Sequence, residues 1–136
     1  MGFLRAFIAA FLATLIFHQG LLALLHAGGV VPAAPYNTAA TWPFGVPQYL
    51  SLAFWGGVWG LVLWALVRHS HASAYWLRSL IIGAIGPTAV AMLVVFPLKG
   101  VPIGMGKLVV GLLLNGVWGV GTAALILPLR HWLPGR

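Results

Sequence analysis

The chain has no acidic side chain: its 136 residues include no Asp or Glu, against seven Lys and Arg. Carboxylates are common general bases, metal ligands and salt-bridge partners in proteins. Their absence excludes carboxylate-based catalysis, carboxylate-held metal ions and ion pairs between side chains. The cationic side chains must therefore find their anions elsewhere, in lipid phosphates, a partner protein or an anionic ligand.

Cysteine is also absent, and charge of any sign is scarce. The lack of Cys excludes disulfides, thiolate nucleophiles and thiolate-held metals. Only 5% of the residues are charged and 62% are hydrophobic, whereas soluble domains are about 25% charged. The basic residues are scattered at the ends of apolar runs and do not cluster on a polar face, so the basic balance does not indicate nucleic-acid binding. A lipid bilayer is the expected surrounding.

Four apolar segments are each long enough to cross a bilayer core, for which about 20 apolar residues suffice. Within lipid a short chain satisfies its backbone hydrogen bonds best as helices. We therefore predict an all-α fold: a four-transmembrane-helix bundle forming a single integral membrane domain over residues 1–136. The predicted helices cover residues 3–27, 49–67, 75–98 and 105–129, with an outer loop at 28–48.

The basic residues are distributed unevenly between the two predicted sides of the membrane. One side holds Lys99 and Lys107. The side of the termini holds the other five, which are Arg5, Arg68, Arg78, Arg130 and Arg136. Because cytoplasmic loops carry the excess of Lys and Arg, both termini are predicted to be cytoplasmic. Arg68, Arg78 and Arg130 are candidates for contact with anionic lipid headgroups.

The loop at residues 28–48 contains four prolines, at positions 32, 35, 43 and 47, which exclude a regular helix through it. It is also rich in aromatic residues of the kind that suit a membrane interface, including Tyr36, Trp42 and Phe44. Two interpretations stay open. The loop is either an extended flap over the helix ends or a partly re-entrant cap over a cavity.

A tetrapeptide repeat links the second and fourth segments. Residues 57–60 and 116–119 both read Gly-Val-Trp-Gly. The match suggests a tandem duplication of a two-helix hairpin; the alternative is chance similarity in a chain rich in these residue types. Glycines three or four residues apart let helices approach closely. We expect packing within the bundle, or else homodimerisation, through the faces that carry Gly56, Gly57, Gly60, Gly116 and Gly119.

Polar side chains are few within the apolar segments, and those in the first segment form a candidate polar seam. Thr14, His18 and His26 share roughly one helix face, with Gln19 about 100° away. Asn115 lies in the fourth segment at a depth comparable to that of His18, and we expect the two to be close. The seam either lines a ligand site or ion path, or is structural, with His18 bonded to a backbone carbonyl or to Asn115.

The histidines do not favour a cofactor. His18 and His26 are eight residues apart, about 12 Å along a helix, so they cannot ligate one haem from both sides. His69 and His71 form a pair without a further carboxylate or Cys to complete a metal site. We therefore expect no cofactor, no metal and no catalytic residue, since histidines alone give a poor acid–base set.

Three segments of the chain, FHQGLLALLHAGGVVPAAP, FGVPQYLSLAFWGGVWG and GAIGPTAVAMLVVFPLKG, resemble small, uncharacterised four-helix proteins of the bacterial inner membrane. The resemblance implies that location, and it brings no activity or ligand. The expected function is a structural or accessory component of a membrane complex, without catalytic activity, whose partners are the lipid bilayer and a larger complex or further copies of itself. The alternative is a small transporter or channel, for an anion, with the polar seam along its path.

Overall fold

The computed structural model describes residues 2–132, with side chains as far as Pro128. In this range the chain forms four long helices joined by one long loop and two short turns. Each is long and apolar enough to cross a membrane, so the predicted all-helical architecture with four such segments is confirmed. The helices are α1 (Gly2–Ala27), α2 (Gln48–Val67), α3 (Ala72–Leu98) and α4 (Met105–Trp132).

Local chemistry accounts for the ends of the helices. Gly28 and Gly29 follow α1, and Gly29 has a φ of 73°, a value that glycine adopts without strain at a helix C-terminus. Pro47 precedes α2 with a ψ of 139° and so lies outside the helix. Compared with the prediction, α3 begins at Ala72 rather than Tyr75.

The helices form two antiparallel hairpins, α1 with α2 and α3 with α4, which meet mainly through α1 and α4. Contact between α2 and α3 is much sparser. The centre of the bundle is built from small residues. On α1, Ala6, Ala9, Ala10 and Ala13 are completely buried, and small side chains of this kind let apolar helices pack at close range.

Both copies of the repeated tetrapeptide lie where the second helix of a hairpin crosses the first. A Cβ atom at Gly60 would overlap the Ala10 Cβ and lie 2.7 Å from the Ala6 carbonyl oxygen. A Cβ at Gly119 would overlap the Ser79 carbonyl oxygen and lie 3.0 Å from the Gly83 Cα. The other candidate packing glycines face the same partners: Gly56 and Gly57 lie against α1, and Gly116 lies against α3.

The second helix is shorter than the first at the end of the bundle that carries residues 28–47, here called the long-loop end. Gly56 lies against Thr14, and Gln48 precedes Gly56 by eight residues. Because the helices are antiparallel, the start of α2 lies at about the level of Leu22 of α1, eight residues beyond Thr14. The last part of α1, up to Ala27, extends beyond this level. The long loop occupies the space next to the start of α2, where the Gln48 and Tyr49 N–H groups donate to the Ala39 and Asn37 carbonyls.

The long loop contains the two strands of the described region. Strand β1 (Ala40–Thr41) pairs antiparallel with β2 (Val46–Pro47). The turn between them carries Trp42 and Phe44, which are 93% and 89% exposed. A hydrogen bond of 2.6 Å from the Thr41 hydroxyl to the Val46 carbonyl closes this turn. The loop is therefore a folded element with an aromatic tip.

Candidate functional site

The polar residues of α1 surround a local change in helix geometry. Residues Thr14–His18 form a π-helical segment, after which the Gln19 N–H donates to the Ile16 and Thr14 carbonyls, three and five residues earlier. In a regular α-helix the same N–H would donate to Leu15. The segment therefore leaves the Leu15 carbonyl available to another donor. Single π-helical turns of this kind are frequent at functional sites.

That donor comes from the long loop. The Tyr36 hydroxyl donates to the Leu15 carbonyl over 2.6 Å. The backbone N–H of the same Tyr36 donates to the Gln19 Oε1 over 2.8 Å. Tyr36 has a φ of 51°, a left-handed conformation that is uncommon for a residue with a side chain. Two hydrogen bonds thus fix one loop residue against the π-helical segment.

Gln19 connects the loop to His18. It is 1% exposed, and its Nε2 lies 3.2 Å from the His18 Nδ1. Because the Tyr36 N–H identifies Oε1 as the acceptor, Nε2 is the donor of the amide, and an amide nitrogen cannot accept. The Nδ1 of His18 therefore accepts, and the neutral ring carries its proton on Nε2. His18, Gln19 and Tyr36, together with the Leu15 carbonyl, are named the π-segment cluster below.

The position of this cluster shows how far the loop folds back. Gln19 precedes the end of α1 at Ala27 by eight residues, or about 12 Å along the axis. The Tyr36 backbone lies beside Gln19, so the chain leaves α1 at Ala27 and returns about 12 Å along it. Residues 28–48 therefore fold back along the outside of α1, with Tyr36 44% exposed, and the choice between an extended flap and a partly re-entrant cap over a cavity stays a prediction.

The remaining members of the predicted seam do not join the cluster. The Thr14 hydroxyl donates to the Ala10 carbonyl in its own helix over 2.9 Å. His26 is exposed near the end of α1, with its Nδ1 3.2 Å from the Val31 carbonyl oxygen. Asn115 Nδ2 donates to the Thr88 hydroxyl of α3 over 2.9 Å. Thus His18 and Gln19 bond each other in the cluster, whereas Thr14, His26 and Asn115 each have a different partner elsewhere.

Sequence reasoning missed the part played by Tyr36. It identified His18 and Gln19 as polar residues within an apolar helix, but it assigned Tyr36 to the membrane interface as one of several loop aromatics. Buried polar groups generally have hydrogen-bond partners, so a buried Gln in α1 was a signal that some donor had to reach it. The sequence carried no indication that this donor comes from a residue 17 positions away.

The end of the bundle opposite the long loop contains Gly2 and the turn at residues 68–71 and is called the amino-terminal end. The predicted headgroup residues Arg68 and Arg78 lie near it. Arg78 Nη1 donates to the Ser70 hydroxyl over 2.8 Å, so this side chain extends along α3 toward the turn. The Arg68 guanidinium carbon lies 5.8 Å from the centroid of the Phe3 ring. The side chain of Arg130 lies outside the described residues.

Comparisons with protein-family models, with curated proteins and with solved structures find no match to this chain. The resemblance to small inner-membrane proteins stays a prediction.

Proposed function

We propose that this chain is a four-span protein of the bacterial inner membrane, with both termini in the cytoplasm, that acts without catalytic activity as a structural or accessory component of a membrane complex. The distribution of side-chain size supports the membrane location. Alanines of α1 fill the centre of the bundle, while large apolar residues such as Ile16 and Leu77 are 55% and 57% exposed. In water such a surface would favour aggregation, whereas lipid is as apolar as these side chains.

The observation that carries the non-catalytic assignment is how the buried polar side chains are hydrogen-bonded. The Ser79 hydroxyl donates to the Tyr75 carbonyl over 2.7 Å, and the Tyr75 hydroxyl donates to the Ala123 carbonyl over 2.9 Å. Trp118 Nε1 donates to the Ala10 carbonyl over 3.1 Å, and Gln19 bonds the loop. Each bond joins two residues of one helix or two neighbouring segments of the bundle. The buried Thr122 hydroxyl has no hydrogen-bond partner among the described residues.

The alternative of a small anion transporter or channel needs polar side chains along one path. Thr14 faces α2, Asn115 bonds α3, and Gln19 bonds the long loop. These residues lie at three different contacts, which supports the structural interpretation over a continuous polar path.

We further propose that the two hairpins arose by tandem duplication. In each hairpin the repeat glycine contacts the first helix of the same hairpin, as Gly60 and Gly119 do. In each, the repeat tryptophan reaches the first helix of the other hairpin: Trp118 bonds Ala10 of α1, and Trp59 packs on Gly86 of α3. Each first helix also contains a π-helical segment, at Thr14–His18 and at Ala91–Val95. If the tetrapeptide recurred by chance, its glycine and tryptophan would not be expected to make equivalent contacts in the two hairpins.

Gentle extraction of the native protein tests the accessory role. Membranes would be solubilised with an amphipathic polymer that keeps the surrounding lipid, and an affinity-tagged chain would be purified and examined by size and by mass spectrometry. We expect a stable assembly that contains a fixed partner or several copies of this chain. A single copy with no constant partner at native expression would contradict the proposal.

Reporter fusions test the orientation. A fluorescent protein fused after Arg136 should fluoresce, and alkaline phosphatase at the same place should be inactive, because both reporters would then be cytoplasmic. A phosphatase inserted between Pro32 and Ala33 should be active. The reverse pattern would contradict the orientation without affecting the fold.

A further inference from the structure

A recess at the amino-terminal end of the bundle carries an inference that the proposed function does not include. It has a volume of about 220 Å³ and lies where α2 ends, the turn at residues 68–71 follows and α3 begins. Its polar lining consists of Arg68, Ser70 and His71, and its aromatic walls are Trp64, Tyr75 and Trp76.

The polar lining is rich in hydrogen-bond donors. The Arg68 guanidinium offers several N–H groups with a permanent positive charge. The Ser70 oxygen accepts from Arg78 Nη1 over 2.8 Å, which leaves its own O–H able to donate. The imidazole of His71 supplies at least one further N–H. Because the chain contains no Asp or Glu, no side-chain carboxylate neutralises this charge, so the recess suits an anion.

The aromatic walls and the adjoining surface indicate which anion. Trp76 is 38% exposed at the edge of the recess, and indole rings favour the boundary between apolar and polar surroundings. Beyond the recess, α2 and α3 contact each other much less than the two helices of either hairpin do. Leu66, which is 55% exposed, lies seven residues from Trp59, the α2 residue that packs on Gly86 of α3, and therefore on the same face of α2. A charged group in the recess could therefore continue into an apolar chain lying between the two helices.

We propose that this recess binds a phosphate group, and that its source is the headgroup of an anionic phospholipid. Arg68 pairs with the phosphate oxygens, Ser70 and His71 donate to them, and Trp64 and Trp76 flank the glycerol region. The positive end of the α3 helix dipole, which begins at Ala72 in the recess wall, adds to the attraction. This inference rests on the membrane location proposed above.

The test uses the full chain in nanodiscs of phosphatidylcholine to which phosphatidylglycerol is added, with bound lipid counted by native mass spectrometry. We expect the parent to retain phosphatidylglycerol in preference to phosphatidylcholine, and Arg68→Gln to weaken that preference about tenfold, the loss typical of a charged hydrogen bond. Lys107→Gln, the same change of charge at the opposite end, should leave it unaltered. Arg68→Lys should retain part of it.

Two further arms identify the source of the phosphate and guard against a folding defect. Glycerol phosphate added to phosphatidylcholine discs should not bind; Arg68-dependent binding there, without a lipid preference, would overturn the lipid source. If Arg68→Gln fails to fold, Ser70→Ala removes a single donor and should weaken the preference about threefold.

The outcomes separate this inference from the proposed function. A chain that inserts into discs but shows equal lipid preference in the parent and in Arg68→Gln would overturn the recess site alone. A chain that does not insert would overturn the membrane location and the site together.

Discussion

The two hairpins of this molecule share their core and differ in how their helices are joined. Both are held by a glycine at the crossing of the two helices, Gly60 in one and Gly119 in the other. In the second hairpin a short turn joins α3 to α4, and Lys107 Nζ donates to the Pro102 carbonyl across it over 2.6 Å. In the first hairpin a long loop folds back onto α1 through Tyr36. Small residues set the helix contacts in both, whereas buried polar side chains determine the conformation of the long connection.

The largest expected effect comes from adding a side chain at the glycine where the two helices of a hairpin cross. Gly119→Ala places a Cβ against the backbone of Ser79 and Gly83, neither of which can move without displacing α3. We expect a loss of about 3 kcal/mol in the free energy of unfolding, at the upper end for overpacked sites. Gly60→Ala should cost a similar amount, because its Cβ would meet Ala10 and the Ala6 carbonyl. Equilibrium unfolding in detergent measures both.

Gly106→Ala is the matched control, since nothing lies within 4 Å of the added Cβ. It should be neutral or slightly stabilising, because Ala favours a helix more than Gly does. If Gly119→Ala were as harmless as Gly106→Ala, the close crossing would be refuted.

The second largest effect is expected in the first hairpin and not in the second. Gln19→Leu removes the acceptor of the Tyr36 N–H and the partner of His18 Nδ1. A buried polar group left without its partner costs about 1–3 kcal/mol, and the long loop should become more sensitive to proteases between residues 28 and 47. Limited proteolysis with mass spectrometry locates the cleavage. The turn at residues 99–104 should keep its resistance, and equal cleavage there would contradict a local role for Gln19.

Tyr36→Phe is a finer version of the same change. It removes the hydroxyl that donates to the Leu15 carbonyl while keeping the ring and the backbone N–H. We expect a loss of about 1 kcal/mol, the usual net value of one hydrogen bond, measured by thermal unfolding. A double mutant with Gln19→Leu should lose less than the sum of the two, because both changes release the same residue. Full additivity would show that the two bonds act independently.

The repeat tryptophans provide a smaller comparison. Trp118 is 3% exposed and donates to the Ala10 carbonyl, whereas the Trp59 ring packs against Gly86. Trp118→Phe should therefore cost about 1 kcal/mol more than Trp59→Phe in the free energy of unfolding. Equal losses would indicate that the hydrogen bond of Trp118 contributes nothing measurable.

The smallest effect is expected at the tip of the long loop. Trp42 is 93% exposed, so Trp42→Ala should change the free energy of unfolding by less than about 0.5 kcal/mol in detergent. Chemical denaturation under the same conditions as for the other variants gives the value. A loss comparable to that of Gln19→Leu would mean that the tip packs against the bundle.

The sequence predicted the helices well because hydropathy and length depend on local composition. Pro47 before α2 and Gly28 after α1 marked helix ends through their own backbone chemistry. The glycine spacing predicted close packing but did not specify the partner helix, since spacing defines a face and not its neighbour. The proximity of Asn115 to His18 stays a prediction; the sequence did not indicate that Asn115 bonds Thr88, because a lone amide does not determine how a helix is rotated.

The π-segment cluster was beyond the reach of sequence reasoning. A π-helical segment has no strong sequence signature, and it was this segment that made the Leu15 carbonyl available to Tyr36. The contact depends on a loop returning along α1, a tertiary event that periodicity does not encode. His18 and Gln19 could be identified as polar residues in need of partners, but their partners could not.

The central claim is that the polar residues of α1 hold the structure together and do not form a path for solute. Anion flux into proteoliposomes, measured for the parent and for His18→Ala alongside their thermal unfolding, tests it most directly. The account predicts no flux above that of empty liposomes for either protein and a lower unfolding temperature for His18→Ala, which loses the bond to Gln19. Flux in the parent that disappears in His18→Ala, with an unchanged unfolding temperature, would contradict it.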